Sequence, residues 1–556
     1  MSEQQPSLLG SSAIMAAGTV VSRLSGFVRN SLLVAALGTA LHADVFNIAN
    51  TIPNMLYILL AGGVFNAVLV PQLVRAMRSD ADGGEAYTNR VITLALVFLV
   101  ITSAVLVLFA PQLMRLFLDG SYFTPRLTPQ REAAITFARY CLPQIFFYGM
   151  FVLVGQVLNA RGVFGPMMWA PIANNVIAVA VLVTYLVAVG PAAGIDQCGG
   201  YSSGAMALLG IGSTVGIAVQ LLVLLPYLRS AGFRFSARFD FRGSGLGHTL
   251  RLGTWTVLFV VVNQIAFTVV VRLASHGTAQ AACNHPAVHV TGYTIYSSAY
   301  LLIMVPHSII TVSLGTALLP RLSAYAADGN LAALGTAIGS ALRSAYAVML
   351  PVIALLPVLA YDISQLAWAY GAGRHTASNF VPTLSLFTIW LFFFTTHYLM
   401  LRGLYALEQT RRAFFIQSAI AVVNIVLAVV LTRGISPDQT SPRLVIAYAG
   451  SFVVGAAASY LLLAREVGGL DSRRLLRFIL RLAVVVGIAT AGAALTRVGM
   501  HSLVGVDGKL QLLASVLVTG LVDVVLVVVL ARAMRITEVT EITTELTRRL
   551  ARRAPR

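Results

Sequence analysis

The chain has 556 residues, of which 58% are hydrophobic and only 10% charged, a balance that excludes an ordinary soluble domain and places the chain in a bilayer. Its formal net charge of +18 would suit nucleic acid if the basic residues shared one solvated face. They are sorted by loop parity instead, which argues against nucleic acid as a partner.

A helix needs roughly 20 apolar residues to cross the hydrocarbon core, and stretches of that length recur from Ser11 to Leu530. The pattern predicts an all-α polytopic membrane protein of about fourteen transmembrane helices. In chain order these are Ser11–Leu37, Asp44–Val74, Val91–Phe117, Ala133–Leu158, Met167–Val189, Met206–Tyr227, Leu252–Ala274, Val290–Leu318, Leu334–Leu359, Phe380–Leu404, Ala413–Leu431, Val445–Leu463, Leu475–Leu495 and Leu510–Leu530. Met1–Leu9 lacks the basic cluster of a cleavable signal, and the first span carries two arginines, so that span is expected to stay.

With the amino terminus inside, the loops and helix ends on the inner side hold Arg75, Arg78, Arg90, Arg161, Arg229, Arg234, Arg238, Arg242, Arg411, Arg412, Arg473 and Arg474 among others, and the tail adds Arg548, Arg549, Arg552 and Arg553. The outer side holds far fewer, such as Arg115, Arg126, Arg374, Arg497 and Lys509. Positive residues remain on the cytoplasmic face, so both termini are predicted there, and the basic tail of residues 534–556 is read as attracted to anionic membrane lipids.

A faint internal repeat divides the chain. Val70-Pro71-Gln72-Leu73 matches Leu319-Pro320-Arg321-Leu322, and Asn175-Val176-Ile177 matches Asn424-Ile425-Val426 at the same offset, a coincidence of shifts that chance matches would not share. Six spans separate the copies, so the halves point the same way and form a parallel-repeat transporter layout, with substrate between them near mid-depth. The expected organisation is two parallel six-helix bundles, 1–230 and 231–464, and a two-helix addition, 465–533, without a partner in the repeat.

Ionisable groups inside spans carry the chemistry, because each costs at least about 2.5 kcal/mol at the bilayer centre unless it faces protein or water. Arg23 and Arg29 in the first span are about 120° apart around the helix axis and roughly 9 Å along it, so one wide face can present both to a cavity. Snorkelling to a surface is the competing reading; the depth of both residues favours the cavity. Fixed guanidiniums there suit a phosphate-bearing ligand. Asp44, at the start of the second span, suits either a helix amino end or a gate partnered by an arginine. Pro53, Pro71, Pro306 and Pro320 are expected to break or bend the second and eighth spans. His307 and His397 read as packing residues before cavity residues, Asp523 as a local pair or a lipid-groove marker, and Cys141 as core. Cys198 and Cys283 fall in outer loops, where a disulfide between them is permitted and two unpaired thiols are equally compatible. No Walker loop, catalytic carboxylate pair or metal-spaced cluster occurs in the sequence, so no cofactor, metal or enzymatic activity is expected.

The runs Ser22-Arg23-Leu24-Ser25-Gly26-Phe27-Val28-Arg29-Asn30, Ala43-Asp44-Val45-Phe46, Ile52-Pro53-Asn54-Met55-Leu56 and Phe65-Asn66-Ala67-Val68-Leu69-Val70-Pro71 resemble the opening of the MurJ/MviN lipid II flippase family. The resemblance continues through Leu158-Asn159-Ala160, Ala170-Pro171, Leu314-Gly315-Thr316-Ala317-Leu318-Leu319-Pro320 and Tyr370-Gly371. It implies membership of the multidrug/oligosaccharidyl-lipid/polysaccharide exporter superfamily and a role in moving the undecaprenyl-diphosphate-linked peptidoglycan precursor, lipid II, from the inner to the outer leaflet of the bacterial cytoplasmic membrane. By the same resemblance Arg23 and Arg29 occupy the positions of essential cavity arginines, Asp44 and Asn54 match the helix-two signature with Pro53, and the last two helices form a groove for the polyprenyl tail. Cell-wall synthesis proteins are further candidate partners.

Two positions depart from the family pattern. Better-known members carry arginine where this chain has Tyr57 and Leu301, so the diphosphate clamp is thinner, and Arg251, His307 and Arg402 are the candidates to compensate. Asn263 and Gln264 in the seventh span stand in place of the aspartates of a sodium site, which favours the membrane potential, at about 2.3 kcal/mol per charge per 100 mV, as the driving force. Two other readings remain: an exporter of another lipid-linked glycan or of a cationic drug, and a membrane scaffold that recruits wall-synthesis enzymes without transport.

Overall fold

The computed structural model describes residues 8–59, 82, 84–192, 200–240, 246–281, 289–505 and 508–544, without the side chains of 8–17 and 246–253. Among the described residues, thirteen helices are long and apolar enough to cross a membrane, and each coincides with one of the fourteen expected spans. The second expected span is the remaining one; its helix is described from Leu41 to Ile58, and its later part, with Pro71, lies outside the described residues.

The chain divides into two compact units. The first comprises residues 1–294 with 370–373 and 436–440, the second 295–369, 374–435 and 441–556. In the first unit the helices are α1 (Leu8–Leu37), α2 (Leu41–Ile58), α3 (Glu85–Leu108), α4 (Ala110–Phe117), α5 (Thr128–Cys141), α6 (Gln144–Ala160), α7 (Gly165–Ala188), α8 (Ser203–Leu222), α9 (Leu224–Ser230) and α10 (Leu246–Ala281). Here α1 packs on α7, α7 on α8, α2 on α5, and α10 on α2. The seventh span, α10, therefore packs with the first unit, whereas the sequence repeat assigns it to the second bundle.

Two expected single spans are interrupted. The fourth is two helices, α5 and α6, meeting at Leu142 and Pro143, because proline cannot donate the backbone bond that a continuous helix requires. The third gives way at Phe109 to α4, whose first turn holds Pro111, where the missing N–H is an orphan in any case. Proline does not always break: α2 runs through Pro53 without interruption.

The first two residues of α11 (Tyr293–His307) and the first of α16 (Thr440–Glu466) belong to the first unit; the second unit holds the rest of both, with α12 (Ser313–Ala327), α13 (Leu331–Trp368), α14 (Phe380–Ala406), α15 (Thr410–Leu431), α17 (Ser472–Val504) and α18 (Lys509–Ala533). Between α11 and α12, directly after Pro306 and His307, the chain makes a π-helical turn at Ser308–Val312, so the bend expected near Pro306 takes the form of a widened turn, whereas Pro320 sits inside α12. The ninth span, α13, is longer than its apolar run and continues past Leu359 through Asp362. Both α17 and α18 pack on α13, so the final pair belongs to the second compact unit.

Burial is arranged as a lipid solvent demands. Large apolar side chains such as Val187, Leu495, Leu503 and Leu510 are exposed on helix surfaces, while Asp44, Asp362, His307, His397 and Arg343 are buried. Inside a bilayer the hydrocarbon covers the apolar exterior, and polar groups must find partners within the protein.

Candidate functional site

The two first-span arginines are carried by a helix fixed against α7. Asn175 donates from its amide nitrogen to the Ser22 carbonyl at 3.1 Å and to the Ser25 hydroxyl oxygen at 2.8 Å, while that hydroxyl donates back to the Ser22 carbonyl at 3.0 Å. Trp169 of α7 lies so close to Gly18 that a Cβ there would meet its indole nitrogen at 3.0 Å. These contacts set the rotation of α1 and hence where its cations project.

Arg29 projects into a cleft of the first unit enclosing about 630 Å³ of empty space, its open mouth included. Asn30, Asn47, Asn50, Gln144, Tyr148 and Asn174 supply its polar lining, and Leu182, Leu209 and Ile217 contribute apolar wall. Several of these polar groups are locked. Gln144 donates to the Asn50 side-chain carbonyl at 3.0 Å, Asn47 donates to the Thr294 hydroxyl at 3.0 Å, and the Tyr148 ring packs against Tyr57 with centroids 4.8 Å apart. Among the described residues no carboxylate pairs with Arg29 or lines the cleft. A fixed cation, amide groups and a phenol can together bind an oxyanion and hydrogen-bond a hydroxyl- and amide-rich headgroup; a cationic ligand would meet no compensating charge.

Arg23, which the sequence placed on one wide face with Arg29, is exposed and is not among the residues lining this cleft. Asn54 is exposed too, and its neighbour Pro53 is buried. The partner expected for a gating Asp44 is replaced by neutral donors. Its carboxylate is fully buried and accepts from the Thr278 hydroxyl at 2.8 Å and from the backbone N–H groups of Tyr293 at 3.0 Å and Thr294 at 2.7 Å. Those two N–H groups open α11, where a helix has unpaired donors and its dipole favours negative charge. Asp44 thus caps the eighth span from the second, and among the described residues no arginine bridges it. Gly292 is packed directly on this carboxylate, leaving no room for a Cβ.

In the second unit, His307 and Arg402 meet around one ring. Tyr398 lies edge-on to His307 at 5.2 Å and face-on to the Arg402 guanidinium at 4.4 Å, and its hydroxyl accepts from that guanidinium. His397 behaves as the expected packing residue, with Nδ1 within 3.3 Å of the Gly455 carbonyl and 3.2 Å of the Ser459 hydroxyl. Cys141 is a buried free thiol. Asp523 is buried and reached by the Thr490 hydroxyl at 3.4 Å, a local contact. Cys198 and Cys283 lie outside the described residues, as does the side chain of Arg251.

One cluster escaped the sequence reading. Asp362 of α13, fully buried, accepts a two-pronged bond from Arg497 (Nε 3.0 Å, Nη2 2.8 Å), with His501 Nε2 at 3.0 Å and the Ser515 hydroxyl at 3.0 Å. The sequence alone groups Arg497 with the outer-side basic residues. The available signal was Asp362 itself, a carboxylate just beyond an apolar run, and the Arg497 and His501 spacing, four residues on one helix face.

Comparison with known proteins places this architecture. The model of the family "Lipid II flippase MurJ" matches residues 33–547. The chain belongs to that family. Among its relatives, "Probable lipid II flippase MurJ" of Rhizobium meliloti (strain 1021) is 24% identical over 448 residues, 79% of this chain and 78% of the relative. "Lipid II flippase MurJ" of Burkholderia cenocepacia is 26% identical over 414 residues, 73% and 75% of the two chains. Among solved structures, "Lipid II flippase MurJ, inward closed conformation" superposes with a TM-score of 0.70 over 94% of this chain and 99% of that one, at 16% identity. An inward-facing multidrug resistance MATE family transporter of the MOP superfamily does so at 0.57, over 81% and 94% of the chains, also at 16% identity. The family's fold is thus retained where most of the sequence has diverged.

Proposed function

We propose that this chain is a lipid II flippase of the bacterial cytoplasmic membrane, carrying the undecaprenyl-diphosphate-linked precursor from the inner to the outer leaflet by alternating access. Both termini face the cytoplasm in this reading. The two bundles of the sequence repeat, 1–230 and 231–464, rock about the substrate, and the helices within 465–533 accommodate the polyprenyl tail. Arg29 and the amides around it receive the diphosphate and its sugar, with Arg23 guiding the anion from its exposed position on the same helix. Asp44 and Pro53 hold the second helix in shape, and Asn54 is available to the headgroup. The driving force is the membrane potential acting on this cationic lobe.

The observation that carries the proposal is Arg29: a span guanidinium without a carboxylate partner among the described residues, in a cleft whose other polar groups are amides, a phenol and the Ser213 hydroxyl. Such a charge is retained in a membrane span only where it has a use. A cationic-drug exporter would need the opposite polarity. In cells depleted of their own flippase and supplied with this protein, wild type restores lipid II to the outer leaflet. Arg29→Ala is expected to lower translocation roughly ten- to a hundredfold, the worth of a lost hydrogen bond to a charged group; equal translocation by wild type and variant at equal membrane abundance refutes the role given to Arg29, and failure of wild type to restore lipid II refutes the flippase reading and favours a scaffold.

A further inference from the structure

The polar lining of the first-unit cleft is ordered along two helices. On α2, Asn47, Asn50, Asn54 and Tyr57 fall within about 80° around the axis at 100° per residue. One stripe thus carries two cleft-lining amides, the exposed Asn54 and, at its end, a half-buried ring. On α6, Gln144 and Tyr148 are four residues apart, neighbours on one helix face, and both line the cleft. The stripes are joined twice: Gln144 donates to Asn50, and the Tyr148 ring packs against Tyr57 with centroids 4.8 Å apart and planes inclined at 36°.

Among the described residues lining the cleft, Arg29 is the one charged side chain, so a diphosphate accounts for one group and leaves the two stripes unexplained. The hydroxyls of Tyr57 and Tyr148 have no hydrogen-bond partner among the described residues, and both rings keep part of their surface exposed. Tyrosines held inside a protein usually find a partner for that hydroxyl; these two offer theirs, with the ring surface beside them, to a ligand. A phosphate has no use for such a surface, because the face of an aromatic ring is negative. A pyranose does. One side of the sugar presents C–H groups that lie against a ring face, and its rim presents hydroxyls and, where N-acetylated, an amide. Asn and Gln side chains meet those rim groups as donors and acceptors at once. Asn50 and Gln144 use one bond on each other and keep the Asn50 amide N–H groups and the Gln144 carbonyl for that purpose.

We propose that Tyr57 and Tyr148 form a glycan platform on which an N-acetylated pyranose of the substrate stacks, so that this pair reads the sugar while Arg29 reads the diphosphate. The proposal deepens the flippase reading and rests on it for the identity of the lipid. It makes Tyr57 a specificity-determining residue: a ring at this position replaces hold on the phosphates by hold on what the phosphates carry.

The full-length protein purified in detergent is titrated by native mass spectrometry with undecaprenyl diphosphate and with the same lipid bearing a single N-acetylhexosamine, and the readout is the ratio of the two affinities. Wild type is expected to prefer the glycosylated lipid roughly three- to tenfold, the worth of one ring contact. Tyr57→Leu and Tyr148→Leu should each bring the two affinities within about twofold of one another. Tyr57→Phe, which keeps the ring, should retain most of the preference, and Arg29→Gln should weaken both lipids alike. Elution as a single monodisperse species verifies folding; if Tyr148→Leu does not fold, Tyr57→Leu set against Tyr57→Phe decides. A wild type that binds both lipids equally, or a preference that survives Tyr57→Leu, overturns the platform and leaves the flippase reading intact. A wild type that binds neither lipid sinks the flippase reading; the methyl glycoside of N-acetylglucosamine bound in a Tyr57-dependent manner then preserves the platform, and its failure to bind sinks both.

Discussion

Two carboxylates, Asp44 and Asp362, are both fully buried, and each unit solves the same electrostatic problem differently. In the first unit Asp44 is met by the hydroxyls of Thr278 and Thr294 and the two backbone N–H groups that begin a helix. In the second Asp362 is met by a guanidinium on two prongs, an imidazole and a hydroxyl. Neutral dipoles bring no opposing charge to the first carboxylate; a guanidinium does so in the second. The first arrangement ties a helix end to a neighbouring helix, and the second fastens the terminal pair α17 and α18 to α13. Residue type alone did not distinguish them.

The largest effect is expected at Asp362. Replacing it with alanine strands Arg497 and His501 beside a vacated partner, and losses on removing one member of a buried pair run at about 3–5 kcal/mol. Unfolding in detergent monitored by helical circular dichroism should show that loss, and Asp362→Asn with Arg497→Gln should recover much of it; an additive double variant would mean the pair is not coupled. Asp44→Ala comes next, at about 2–4 kcal/mol, because its donors are dipoles whose stranding costs less than a stranded cation. Asp44→Asn retains one accepting oxygen and should lose about half as much in the same assay, whereas an Asn variant as unstable as Ala would show that the charge itself, acting on the α11 dipole, is what matters. The exposed pair of Arg412 with Glu466 marks the low end: both side chains remain substantially in solvent, and Glu466→Gln should shift stability by no more than about 0.5 kcal/mol.

The spans were legible because a bilayer imposes a length and a polarity on every helix that crosses it, and hydropathy reads both. Interruptions were less so. Pro143 splits the fourth span while Pro53 is carried through α2, since a proline kink depends on whether neighbours can satisfy the freed carbonyl. Of the cleft, Arg29 was readable as a charge at an expensive depth. Asn47, Asn50, Gln144, Tyr148 and Asn174 were not, because neutral polar side chains are cheap enough in a span to occur without a ligand. His307 and His397 look alike in the sequence as single buried histidines; the Gly455 carbonyl and Ser459 hydroxyl meet Nδ1 of His397, and nothing among the described residues meets either ring nitrogen of His307.

By itself the sequence determined that this is a polytopic membrane protein with two related halves, which residues are charged within its spans, and which family its opening motifs resemble. Those are properties of composition, periodicity and local order along the chain. Tertiary structure alone decided which charges meet which partners: Asp44 with residues 278, 293 and 294, Asp362 with 497, 501 and 515, His307 with a tyrosine shared with Arg402. A buried polar group takes its role from the few ångströms around it, and in a bundle of long helices those ångströms are filled by residues far away in sequence.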